Sequence, residues 1–384
     1  MNRTRIYFDN AATTPLLPAA KDAMAPFWDE IYGNASSPYA TSRAARMALD
    51  GARVEIAKLI GANPDEIAWT GGGTESDNWA LLGVAFANLE KRGHFIISAI
   101  EHHAVLEVAP MLCELGFEVD FARCNASGMV EPEEIARLLR PGTLLVSLMS
   151  ANNETGALQP VAEISKICRE NGVLFHCDAT QSAGKTALDV DFDMERGADL
   201  LTLSAHKIGG PKGVGALYIR RGTRMKPLLR GGAQERGRRA GTENVPGIAG
   251  FAAAATHART HLDENAAYLE NLRNQLENGL LALGQIEIIA GNAPRAPHFS
   301  SFIVRNVRAE SLALNLDLQG FAVGTGSACA SGALEPSHVL AAMGYDAKAA
   351  KSALRVSFGV QNTGNEVAEF LVVLGDLRLG INAE

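Results

Sequence analysis

Short runs of Val, Ile and Leu alternate with longer helix-like segments through the first two-thirds of the chain, and this alternation constrains the fold most. Strands are expected at 66–70, 94–98, 117–121, 144–149, 173–176, 200–203 and 215–219. Between them the pattern predicts helices at about 78–89, at 105–115 closed by Gly116, and at 132–139 opened by Pro132, Glu133 and Glu134. Such alternation implies a mostly parallel sheet covered on both faces, with ligands bound at the carboxyl ends of its strands. Residues 243–283 read as mostly helical, interrupted only by Pro246 near their start, and suit a connector between domains. A strand at 301–304, a helix at 310–318, a strand at 354–358 and a helix at 367–379 form a second, smaller α/β unit.

Composition narrows the partners. At 384 residues and 47% hydrophobic, the chain has room for two or three domains of about 150 residues each. A net charge of −8 gives no electrostatic reason to expect nucleic acid or an anionic membrane. No apolar run approaches the roughly 18 residues of a membrane-spanning helix, and the N-terminal residues lack the apolar core of a signal peptide. A cytoplasmic protein is expected. The five cysteines, Cys113, Cys124, Cys168, Cys177 and Cys329, are odd in number, widely spaced and without a CxxC pair. A disulfide framework or structural zinc site is therefore not expected, nor is any other metal.

Polar clusters follow the strands. Gly71-Gly72-Gly73-Thr74-Glu75-Ser76 joins a strand to a helix, where glycines admit a ligand and N-terminal N–H groups attract a phosphate; alone it reads equally as a tight turn. It lacks the Gly-Lys-Ser/Thr of a Walker A loop and the GxGxxG of dinucleotide sites. Asp178, after the strand at 173–176, could hold a protonated ring nitrogen, a metal or a ribose, or simply cap a turn. Ser204-Ala205-His206-Lys207 follows an apolar strand and precedes a glycine-rich turn, a setting that desolvates an amine as a Schiff-base lysine requires. A phosphate cradle, a strand-end carboxylate and a lysine 29 residues later are together the three grips that pyridoxal phosphate needs.

Glu101-His102-His103 suits a ring stacked on a planar cofactor better than a metal site, with a hydrogen-bonding structural histidine as the alternative. Asn152-Asn153-Glu154-Thr155-Gly156 can donate to a phenolate oxygen or a substrate, or form a turn. The basic run from Arg230 to Thr242 has no interleaved aromatics and reads as a glycine-rich loop reaching a phosphate or a neighbouring subunit. Cys329 lies among small residues in Gly324-Thr325-Gly326-Ser327-Ala328-Cys329-Ala330-Ser331-Gly332, accessible as a nucleophile should be, whereas the other four cysteines are expected to pack as small hydrophobes. The bland alternative is a connector with an incidental thiol.

With these clusters in order, the chain resembles the NifS/IscS-like cysteine desulfurases of the class V aminotransferase family. The resemblance spans nearly the whole chain: Tyr7-Phe8-Asp9-Asn10-Ala11-Ala12-Thr13-Thr14, Gly73-Thr74-Glu75-Ser76, Glu101-His102-His103, Asn152-Asn153-Glu154, Asp178-Ala179-Thr180-Gln181, Ser204-Ala205-His206-Lys207, Gln234-Glu235-Arg236-Gly237, Gly241-Thr242, Gly326-Ser327-Ala328-Cys329 with Leu334-Glu335-Pro336-Ser337, and Ala353-Leu354-Arg355. It implies the fold type I of pyridoxal-phosphate-dependent transferases. A large domain at 15–258 would hold a mostly parallel seven-stranded sheet, and a small α/β domain at 1–14 and 259–384 would carry the cysteine loop at about 324–334.

By resemblance, Lys207 bonds the aldehyde carbon of pyridoxal phosphate, Asp178 pairs with its ring nitrogen and His102 stacks on the ring. Gln181 and Asn153 contact the phenolic oxygen, with Asn153 also near the substrate. Gly73, Thr74, Ser204 and His206 hold the phosphate, joined by Thr242 from the other subunit of a homodimer. Arg355 takes the substrate carboxylate, which suits its planar fork. Cys329 accepts sulfur from L-cysteine as a persulfide, releasing L-alanine, and donates it to a scaffold or carrier protein for iron–sulfur clusters or other sulfur-containing products. The long cysteine loop resembles the scaffold-serving group. A selenocysteine lyase or aminotransferase of the same fold, or a non-catalytic subunit retaining it, would share many of these features. Ala35, Tyr39 and Ala205 depart from the usual Pro, His and Gly, and the short ending after the last helix lacks the tail by which some relatives dock a scaffold.

Overall fold

The computed structural model describes residues 5–192, 197–325 and 336–381, with side chains to residue 377. Its strands are β1 (Ile6–Phe8), β2 (Ile67–Thr70), β3 (His94–Ser98), β4 (Glu118–Ala122), β5 (Thr143–Ser147), β6 (Leu174–Asp178), β7 (Leu200–Ser204), β8 (Gly215–Ile219), β9 (Ile286–Ile288), β10 (Phe299–Val304), β11 (Phe321–Thr325) and β12 (Ala353–Ser357). Seven form one sheet in the order β2-β8-β7-β6-β5-β3-β4. The five strands from β7 to β4 run parallel, and β8 is antiparallel to both its neighbours. This is the mostly parallel sheet expected.

The sheet is apolar on both faces because helices cover both. Along β3, Phe95 and Ile97 enter a core with Trp79, Leu82 and Val84 of the helix Gly73–Ala87. Ile96, pointing oppositely, enters another core with Leu49 and Ile56 of the helix Ala40–Leu59 and Phe251 of the helix Val245–Thr260. The helix at 40–59 is not among those expected above, although Ala45, Leu49, Ala52 and Ile56, all buried, repeat at helical spacing.

A second sheet has the order β1-β11-β12-β10-β9. Its core joins Phe8 to Leu272 and Leu276 of the helix Leu262–Leu283 and Phe370 of the helix Gly364–Ile381. The N-terminal strand β1 therefore belongs with the last third of the chain, pairing in parallel with β11. The three-residue strands β1 and β9 and the strand β11 were too short or too mixed in pattern to be read as strands from sequence.

Two expected helices are divided. The one at 105–115 splits into His103–Leu106 and Val108–Glu114, because Pro110 has no N–H to return to Leu106 and its ring crowds that carbonyl. The long segment at 243–283 breaks at His261, whose φ of −115° leaves the helical region. Cys113 also departs from expectation: it is exposed, since Val108, Ala109 and Leu112 form the buried side of its helix. Cys168 and Cys177 are buried and Cys124 lies between. Residues 326–335, with Cys329, lie outside the described residues. No described helix is long and apolar enough to cross a membrane.

Candidate active site

One cavity of about 370 Å³ gathers the sequence-selected residues Gly73, Thr74, His102, Asn153, Asp178, Gln181, Ser204, His206, Lys207 and Arg355. The chain arrives there repeatedly because parallel strands end on the same edge. Asp178 is the last residue of β6, and Ser204 the last of β7, followed by the 3₁₀ turn Ala205–Lys207. Gly73 opens the helix after β2, and the Gly72 backbone passes close to β8: a Cβ on Gly215 would lie 2.8 Å from Gly72 Cα. Thr242 is exposed on the surface of this single chain and does not line the cavity.

The Lys207 amine donates to the carbonyl oxygens of Ala11 at 2.5 Å and Ala12 at 3.0 Å. Its turn is tied to the same N-terminal segment, as Thr14 N and Thr14 Oγ1 both donate to the His206 carbonyl at 2.9 Å. Lys185 Nζ, buried behind it, donates to the Lys207 carbonyl at 2.6 Å. Asp178 Oδ1 accepts from Thr180 N at 2.8 Å, which turns the chain and holds the carboxylate at the cavity floor. His102 Nδ1 accepts from Ala104 N at 3.1 Å, so in the neutral ring the proton sits on Nε2. Burial lowers the His102 pKa and favours that neutral form. Burial, then the nearby Lys207 and Lys212, pull His206 down to about 4.

Four cavity-lining residues, Asn153, Gln181, Thr180 and Asp77, have buried side-chain oxygens without hydrogen-bond partners: Oδ1, Oε1, Oγ1 and Oδ1 respectively. Buried polar groups are ordinarily satisfied, so the cavity is built to receive a polar guest. The first-turn N–H groups of the 15-residue helix Gly73–Ala87 open onto it, and a Cβ on Gly73 would lie 3.3 Å from Thr180 Oγ1. A phosphate at the helix end, a carboxylate and an amine suit pyridoxal phosphate, and the residues present fit that group.

Arg355, on β12, is buried and donates from Nη1 to the Asn153 carbonyl at 2.7 Å and from Nη2 to Asp9 Oδ1 at 2.8 Å. Several cavity residues carry no functional assignment from sequence. Asp77 lies one helical turn after Gly73, a spacing that could have exposed it. Glu154 accepts from Ser337 Oγ, and burial pushes its carboxyl up to about 7. His338 bonds the Glu101 carbonyl at 2.9 Å through Nε2, directly after the cysteine-loop region.

Part of the basic run at 230–242 is committed within the chain. Glu235 binds buried Arg53 through two hydrogen bonds of 2.9 and 2.8 Å, Arg238 donates to the carbonyls of Asp65 and Ile67, and Arg239 pairs with Glu75. This loop therefore docks beside the glycine-rich turn.

Beneath Asp178, fully buried Glu101 accepts from Met149 N at 2.7 Å. Burial, then the charge of Asp178, raises its pKa to about 8. The native state thus keeps this proton after the unfolded chain has lost it, and stability falls as pH rises from about 4.5 to about 8. Glu101→Gln removes that dependence. Relative to the parent chain, it should gain about 1.4 kcal/mol per pH unit inside the window. Urea unfolding at about pH 5.5 and about pH 7.5 measures this, and an equal difference at both would contradict the protonated carboxyl.

Comparison with known proteins agrees with the cavity. The Aminotransferase class-V family model matches residues 6–370. Cysteine desulfurase IscS of Methanosarcina thermophila is 44% identical, over 97% of this chain and 91% of its own. A solved NifS-like protein superposes with a TM-score of 0.90 at 38% identity, covering 97% of this chain and 99% of the other. SspA, solved in complex with cysteine, gives 0.82 at 33% identity, covering 92% and 99%. The chain belongs to the aminotransferase class-V family, among its NifS/IscS-like cysteine desulfurases.

Proposed function

We propose that the protein converts L-cysteine to L-alanine with pyridoxal phosphate and carries the sulfur as a persulfide on Cys329, for transfer to a scaffold or carrier protein in iron–sulfur cluster assembly or related synthesis. The observation supporting this most directly is the single cavity shared by Lys207, Asp178 and Arg355. Pyridoxal phosphate, when bound, supplies an aldehyde for an amine and an electron-withdrawing ring. Gly73, Thr74, Ser204 and His206 would hold its phosphate, Asp178 its ring nitrogen, Gln181 and Asn153 its phenolic oxygen, and His102 its face. Thr242 would join from the second subunit of a homodimer, consistent with its exposure in one chain. We also assign a large domain to 15–258 and a small one to 1–14 and 259–384.

Arg355 holds the substrate carboxylate, with Asn153 beside it. The Lys207 amine takes the proton from the substrate Cα and returns it later. The Cys329 thiolate forms a bond to the substrate sulfur as the substrate carbon–sulfur bond breaks. The electron pair of that bond stays with the carbon fragment, which takes up protons and leaves as alanine. Overall, one thiol and cysteine become one persulfide and alanine, with no outside oxidant.

The wild-type protein, given L-cysteine and a dithiol to discharge the persulfide, should form alanine and sulfide in equal amounts. Amino-group transfer to a 2-oxo acid without sulfide would overturn this reading. A parallel assay with L-selenocysteine distinguishes a selenocysteine lyase by its rate ratio.

A further inference from the structure

The segment from Asp9 to Ala12 touches both ends of the substrate site. Its carbonyls at Ala11 and Ala12 receive the Lys207 amine, while its first side chain, Asp9, receives Arg355 Nη2 at 2.8 Å. The segment is anchored to the strand that carries Arg355: Asn10 N donates to the Ser357 carbonyl at 3.1 Å and Ala11 N to Ser357 Oγ at 2.8 Å. Asp9 itself bridges in parallel to Ser357. A short length of backbone thus spans the amine and the guanidinium.

The guanidinium is also constrained from the side. A Cβ on Gly324 would lie 2.8 Å from Asp9 Oδ1, 3.0 Å from Arg355 Nη2 and 3.1 Å from Arg355 Nε, so a side chain there would push the ion pair aside. Asn153 holds Nη1 through its carbonyl. These contacts leave the planar fork little freedom to rotate, and a bidentate carboxylate grip depends on its plane.

We propose that Asp9 is a positioning residue that sets the Arg355 fork for an α-carboxylate, with the Asp9–Ala12 segment acting as the strut that fixes its separation from the Lys207 amine. The inference rests on the assignment of Arg355 to the substrate carboxylate.

Holoenzyme variants test it by binding as well as turnover. Asp9→Ala should raise the KM for L-cysteine about tenfold while changing kcat less than about threefold, the size expected for losing one charged hydrogen bond. The Kd for L-alanine, read from perturbation of the cofactor absorption, should rise by a similar factor, and Asp9→Asn, which keeps the acceptor, should recover most of the loss. Should Asp9→Ala fold poorly, Gly324→Ala displaces the same pair and should weaken L-alanine in the same way. Unchanged L-alanine affinity in both Asp9→Ala and Gly324→Ala, with binding lost in Arg355→Ala, overturns the positioning role alone. Unchanged affinity in Arg355→Ala overturns the carboxylate assignment beneath it.

Discussion

Lys207→Ala is expected to leave a folded protein that no longer bonds pyridoxal phosphate and forms alanine from L-cysteine at a rate lower by on the order of a thousandfold or more. The fold should survive because the turn holding Lys207 has other ties. Thr14 binds the His206 carbonyl and receives Gly209 N at 2.8 Å, and Lys185 binds the main chain of residue 207, not its side chain. Lys185 cannot substitute, since its amine is buried behind the turn on the Lys207 carbonyl and does not line the cavity. Absorption spectra of the loaded wild type and variant, with an alanine assay, measure both effects. An unchanged spectrum would remove Lys207 from its role.

Cys329→Ala should do the opposite: keep the cofactor absorption of the wild type and lose sulfur transfer by on the order of a thousandfold. No described cysteine can stand in for it. Cys168 and Cys177 are buried, and burial pushes the Cys168 thiol up to about 12 and Cys177 well above its ordinary value. Cys113 and Cys124 do not line the cavity. Mass spectrometry after exposure to L-cysteine should find added sulfur on the wild type and none on the variant. Desulfuration at the wild-type rate would refute the nucleophile assignment. The two variants together separate proton handling from sulfur handling.

Much of this arrangement was legible in the chain. Parallel strands leave a record in short apolar runs, because a strand buried on both faces cannot afford polar alternation; Phe95, Ile96 and Ile97 show it within one strand. Strand-end clusters were legible for a related reason. Asp178, Ser204 and Lys207 interrupt or follow apolar runs where solvent-facing loops would carry less specific chemistry, and the structure brings them to one cavity. The exposure of Cys113 is not legible in this way, because periodicity gives a helix without saying which side its neighbours will cover. The break before Pro110 follows from its missing N–H, a local cause that was available in the sequence.

Charge behaviour was less accessible. Glu101 and Glu154 are ordinary acids in the sequence, and only enclosure shifts their protons toward neutral pH. The basic run at 230–242 likewise shows its charges but not that Glu235 pairs with Arg53 and Arg239 with Glu75.

The order of residues by itself determined the alternating architecture, the strand-end grips and the lone cysteine among small residues, because hydrophobic period and residue chemistry are local properties. Tertiary structure alone decided that Asp9 meets Arg355 across 346 positions while Ala11 and Ala12 meet Lys207. Such pairings depend on which sheet edges meet and which polar atoms are left without water, and those are properties of the assembled core.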